Sequence, residues 1–152
     1  MRSIYIVVTL LFAASFLSFV PANKEGKAAE AFAEGGIKFI EQDWKAALQQ
    51  AKSSNKLVFL DIYATWCGPC KLLKKNTFTD KQVGEFFNKN FVNITVDGEK
   101  GIGPQLAQLY QVQAYPTLIV TDASGKPVLY TMGYIDAKTL MEFAQAALKK
   151  KG

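Results

Sequence analysis

The only two cysteines of the chain stand three residues apart, in Trp66-Cys67-Gly68-Pro69-Cys70-Lys71. The run before them, Leu57-Val58-Phe59-Leu60-Asp61-Ile62-Tyr63, has strand character. The run after them, Lys71-Leu72-Leu73-Lys74-Lys75, suits a helix. The pair therefore falls where a strand passes into a helix. A helix N-terminus carries unpaired N–H groups and the positive end of the macrodipole. A thiolate there is stabilised, which makes Cys67 a nucleophile near neutral pH. Cys70 can reach it and close a disulfide. The motif thus requires a βα junction and points to dithiol–disulfide chemistry.

Two blander readings of the pair are weaker. Half of a structural zinc site would need four Cys or His ligands, and the chain has no His and no third Cys, so only a dimer could complete it. A purely structural disulfide between residues this close would constrain the unfolded chain little.

The 152 residues, 49% of them hydrophobic, suffice for one domain with a core and are short for two. With 20% charged and 12% aromatic residues the composition is globular, not disordered. Residues 1–22 stand apart. Met1-Arg2-Ser3 is a short basic start, Ile4 to Val20 is apolar, and Val20-Pro21-Ala22 places small residues before a cut after Ala22. This is the pattern of a secretory signal peptide. The alternative is an uncleaved anchor over residues 4–20, near the lower limit of the roughly 17–25 residues a spanning helix needs. Either way the chain is read as exported, periplasmic, and tethered if the anchor stays. Residues 23–36, rich in Ala, Glu, Lys and Gly, read as a linker, and residues 37–152 as the folded domain.

Without residues 1–22 the charge is 17 lysines against 13 acids, or +4. No arginine remains to interleave with aromatics, so nucleic-acid binding has no support. Lys149-Lys150-Lys151 reads as a solvated helix end.

Along the domain, Ile37–Phe39 reads as a short strand and residues 43–53 as an amphipathic helix bearing Trp44, Ala47, Leu48 and Ala51. Residues 57–64 form an apolar run interrupted by Asp61, as expected of a strand buried on both faces. Helices follow over 67–76 and 81–88, a strand over 91–96, a helix over 104–110, a hairpin over 116–121 and 127–132, and a helix over 137–150. The order βαβαβαββα predicts an α/β fold, a central mixed sheet flanked by helices.

Order and motifs together resemble the thioredoxin superfamily over residues 37 to 150. The W-C-G-P-C-K segment is similar to the thioredoxin active-site motif, Asp61 to the family's buried acid, Tyr115-Pro116-Thr117 to its cis-proline loop, and Gly133 to its glycine after the last strand. The stretches Asp61 to Cys67, Thr77 to Val83, and Gly133 to Ala137 resemble one branch, the C-terminal domain of DsbD-type thiol:disulfide interchange proteins. Gly68-Pro69 departs from that branch towards thioredoxin, and the multi-span membrane portion is absent. Asn93 falls where thioredoxins carry a lysine near the buried acid, and is read as a solvent-side strand residue.

The resemblance implies a reductase of protein disulfides, with Cys67 as nucleophile, Cys70 as the buried resolving thiol and Asp61 moving its proton. Trp66, Gly68, Pro69, Tyr115 and a cis Pro116 would form the substrate platform. Lys74, seven after Cys67, would favour the thiolate. No cofactor or metal is needed, and the chain is read as a monomer. Its partners would be disulfide-containing proteins and, as electron donor, a membrane thiol–disulfide transporter. An oxidase or isomerase remains the alternative within this chemistry, and a non-catalytic binding module outside it.

Overall fold

The computed structural model describes residues 35–151. The signal or anchor reading of residues 1–22 and the linker reading of 23–34 lie outside the described residues. Among the described residues five strands form one sheet: β1 (Ile40–Glu41), β2 (Leu57–Tyr63), β3 (Phe91–Asp97), β4 (Thr117–Thr121) and β5 (Pro127–Met132). Their spatial order is β1-β3-β2-β4-β5. β3 runs parallel to β1 and β2, whereas β4 is antiparallel to β2 and β5, so the sheet is mixed. The helices are α1 (Trp44–Ser54), α2 (Gly68–Leu72), α3 (Lys81–Asn90), α4 (Gly103–Leu109) and α5 (Ala137–Lys151). Among the described residues no helix is long and apolar enough to cross a membrane.

Alternation along β2 divides the core in two, because successive side chains of a strand point to opposite faces. Val58, Leu60 and Ile62 pack with Val92, Ile94 and Val96 against Ala47 and Ala51 of α1 and Leu106 of α4. Leu57 and Phe59 face the other way, with Leu118 and Val120, against Val83 and Phe87 of α3 and Leu140, Ala144 and Ala147 of α5. Phe59 is fully buried, and its ring lies 4.7 Å from Phe87, 6.1 Å from Phe78 and 6.2 Å from Phe39. Truncating it removes contacts on several elements at once. Phe59→Ala is expected to lower stability by about 3–5 kcal/mol, read from the urea midpoint. A loss below about 1 kcal/mol would show that the second core does not depend on this ring.

Capping side chains set the helix starts. Asp43, Asp80 and Asp136 accept the N–H groups of Ala46, Val83 and Thr139 at 2.8–2.9 Å. Asn55, at φ 51°, stops α1.

Three expectations need correction. Ile37–Phe39 is not the first strand. The Ile37 N–H bonds to the Phe78 carbonyl at 2.8 Å, and pairing with β3 begins only at Ile40. The helix expected over 67–76 is not regular. α2 gives way to a π-helical turn at Leu73–Thr77, where the Phe78 N–H reaches back to the Leu73 carbonyl at 3.0 Å. That turn buries both Leu73 and Thr77, and the Thr77 hydroxyl donates to the Ile135 carbonyl at 2.8 Å. Asn93 is not on the solvent side, for it is only 4% exposed. Its amide donates to Asn88 Oδ1 and to the Lys38 carbonyl, so the side chain ties β3 to α3 and to the approach to β1.

Gly35 and Gly36, at the end of the segment read as linker, lie against α3. A Cβ on Gly84 would collide with their carbonyls, so this close approach requires glycine there.

Candidate active site

The site forms at the C-terminal end of β2. Beyond Tyr63 the chain turns through Ala64-Thr65-Trp66, and Cys67 becomes the N-cap of α2. Its extended backbone leaves Sγ facing the helix start, where it accepts the Cys70 N–H at 3.1 Å. Pro69 sits in the first turn, where its missing N–H costs no helical bond. Gly68 and Pro69 are exposed. Cys67 and Cys70 form a disulfide, with Cα atoms 5.4 Å apart.

Exposure does not single out Cys67. In this oxidised state Cys70 is buried, as expected of the resolving thiol, at 8% exposed, and Cys67 is buried as well, at 3%. The difference between them is chemical. Cys67 Sγ receives a helix-start N–H, whereas Cys70 faces a cavity of about 570 Å³ that Asp61 also lines.

Asp61 lies on the Phe59 face of β2, beneath α2, and is 6% exposed. In register it faces Thr95 of β3, whose hydroxyl donates to Asp61 Oδ2 at 2.9 Å. Oδ1 has no hydrogen-bond partner among the described residues. Burial pushes the carboxyl up to about 7, against the smaller opposing pull of the Thr95 hydrogen bond and the Lys74 charge. Thr95, not Asn93, is therefore the β3 side chain bonded to the acid. Lys74 lines the same cavity, and its charge acts on Asp61.

Trp66 and Tyr115 meet edge to face, ring centres 6.0 Å apart, and Tyr115 packs on Ala64 and the two cysteines. Trp66 is 67% exposed, and its Nε1–H donates to both oxygens of Glu99, at 3.0 and 3.1 Å. A Cβ on Gly98 would run into the Tyr115 ring, so glycine lets the β3–α4 loop approach it. The Tyr115–Pro116 peptide is cis, and the Pro116 carbonyl accepts the Gly133 N–H at 2.8 Å.

Residues 44–148 match the family model described as a thioredoxin-like domain. The chain belongs to that family. Its sheet and helices form the thioredoxin-like fold, and the family chemistry is thiol–disulfide exchange. Among solved structures it is similar to a candidate disulphide-isomerase from Bacteroides thetaiotaomicron. Identity is 42%, TM-score 0.68, covering 78% of this chain and 98% of that one. A thioredoxin H-type of Fagopyrum esculentum is 32% identical over 52% of this chain and 63% of its own length. The thiol:disulfide interchange protein DsbD of Photorhabdus laumondii is 32% identical over 68% of this chain but only 19% of its own length. The chain thus spans less than two thirds of either of these two relatives.

Sequence reasoning missed Thr95, Gly98 and Glu99. Thr95 could have been found by placing β3 in parallel register against Asp61. Glu99 carries no local signal, since its partner lies 33 positions earlier.

Proposed function

We propose that this thioredoxin-like protein is an exported reductase of protein disulfides, working in the periplasm. Cys67 thiolate attacks one sulfur of a substrate disulfide, forms a mixed disulfide and expels the other sulfur as a thiolate. Cys70 then loses its proton towards Asp61 and attacks Cys67 Sγ. The second substrate sulfur leaves as a thiolate and takes up the proton held by Asp61, and the Cys67–Cys70 disulfide remains. Two electrons pass from protein to substrate. The oxidised chain is the product of that turnover, and a membrane thiol–disulfide transporter would return it to the dithiol.

The observation that carries this reading is the shared cavity of Cys70 and Asp61. A carboxyl titrating near 7 is matched to taking a proton at neutral pH. Trp66, Gly68, Pro69, Tyr115 and Pro116 would supply the surface on which an extended peptide pairs beside the cysteines. Residues 1–22 carry the export signal in this reading.

Insulin reduction by dithiothreitol tests the activity. The chain is expected to speed insulin precipitation well above thiol alone, and no acceleration would remove the reductase reading. Direction is read from the Cys67–Cys70 potential, expected nearer the thioredoxin value of about −270 mV than the DsbA value of about −120 mV. A value at the oxidising end would transfer the site to disulfide formation or isomerisation, the activity named for the Bacteroides neighbour.

A further inference from the structure

The rim of the disulfide carries a carboxylate that the thiol chemistry does not use. Glu99 is exposed in the loop between β3 and α4, with both oxygens on Trp66 Nε1. Trp66 immediately precedes Cys67 and is largely exposed. An indole so open to solvent has several rotamers available, and the Glu99 carboxylate selects the one that meets Tyr115 edge to face.

The loop is braced to hold that carboxylate in place. The Gly98 N–H donates to the Tyr63 carbonyl at 2.7 Å, and the Glu99 N–H to Asp97 Oδ1 at 3.1 Å. Lys100 pairs with Asp97 at 3.4 Å, and this is the only ion pair among the described residues. The Asp97 charge is therefore met, while among the described residues no lysine is paired with Glu99. A neutral acceptor would have sufficed to orient the indole. The carboxylate adds a negative charge beside Trp66, part of the surface on which the proposed substrate would dock.

We propose that Glu99 is a positioning and specificity-determining residue. It fixes Trp66 against Tyr115, and its charge favours polypeptide disulfides flanked by Lys or Arg over those flanked by Asp or Glu. The proposal rests on the reading of the site as exchanging thiols with protein disulfides. Two unit charges about 7 Å apart in water change a rate roughly threefold, up or down with sign. Lys71 and Lys74, on the cavity side, add a field of opposite sign that stays constant when only Glu99 is altered.

The test uses the reduced full chain and three fluorogenic disulfide peptides, identical except for Lys, Glu or Ser beside the cystine. kcat/KM for the first two is normalised to the Ser peptide at low ionic strength. Glu99→Gln keeps a carbonyl acceptor for Trp66 and loses the charge. It is expected to lower the Lys peptide and raise the Glu peptide roughly threefold each, and the change should vanish near about 0.5 M salt. Glu99→Ala also frees Trp66, so its KM for the Ser peptide should rise several-fold above that of Glu99→Gln. An unchanged Lys-to-Glu ratio in Glu99→Gln overturns the charge role. Equal KM values in the two variants overturn the positioning role. If the wild type exchanges with none of the peptides, the reading of the site falls and this proposal with it. Exchange with the Ser peptide and a flat ratio removes Glu99 alone.

Discussion

Cys67→Ser is expected to abolish disulfide reduction, by at least about 10³-fold, the scale on which loss of a nucleophile acts. Cys70→Ser is expected to keep the first attack and lose the second, so it should accumulate mixed disulfides visible on non-reducing gels and released by thiol. The asymmetry comes from the α2 N-terminus. The Cys70 N–H points at Cys67 Sγ from 3.1 Å, and the developing thiolate is stabilised by that donor and by the helix dipole. Among the described residues Cys70 has no such donor at its sulfur, and in the proposed reaction it gives its proton to Asp61. In the reduced protein Cys67 should therefore titrate below the free value of about 8.5 and be alkylated first near neutral pH. If Cys67→Ser captures partners as well as Cys70→Ser does, the two roles are reversed.

Asp61→Asn should separate the two chemical steps and raise stability. In the proposed reaction the acid takes no part in forming the mixed disulfide but accepts a proton in its resolution, which should slow by about 10²-fold, within the range of general-base effects. Stopped-flow traces of a trapped substrate would show this, and unchanged resolution between about pH 6 and 9 would leave Asp61 without a part in the reaction.

The stability change follows from linkage. Desolvation holds the folded carboxyl at about 7, against an ordinary 3.8, so between those values the folded chain keeps a proton that the unfolded chain has lost. Wild-type stability should therefore fall as pH rises through that window and level off above about 7. The difference is on the order of 4 kcal/mol at its full extent. An amide cannot ionise, so the variant should exceed wild type most at alkaline pH and by little near pH 4. Urea midpoints of the two proteins at either end of the window decide it. Parallel pH profiles would mean that water relieves the burial of the charge.

Much of this was legible in the residues themselves. The cysteine spacing, the apolar run before it and the helix pattern after it placed the dithiol at a βα junction. The apolar runs over 116–121 and 127–132 marked the hairpin, and apolar spacing marked the helix over 43–53. These signals are local, because periodicity and capping act over a few residues of chain. The acid was legible too, since a carboxylate inside an apolar strand needs a task or a partner.

Other features depended on which distant elements meet. Ile37 was drawn away from the sheet by the Phe78 carbonyl, 41 positions ahead of it. Asn93, polar in a strand and so read as facing solvent, is buried because α3 brings Asn88 to its amide. Parallel register alone put Thr95 on Asp61, and only the packed loop put Glu99 on Trp66. By itself the sequence determined the dithiol, the acid and the order of elements. Tertiary structure alone decided which side chain bonds the acid, what cavity it shares with Cys70 and what orients the rim, because long-range contacts are settled when the elements pack and leave no period in the chain.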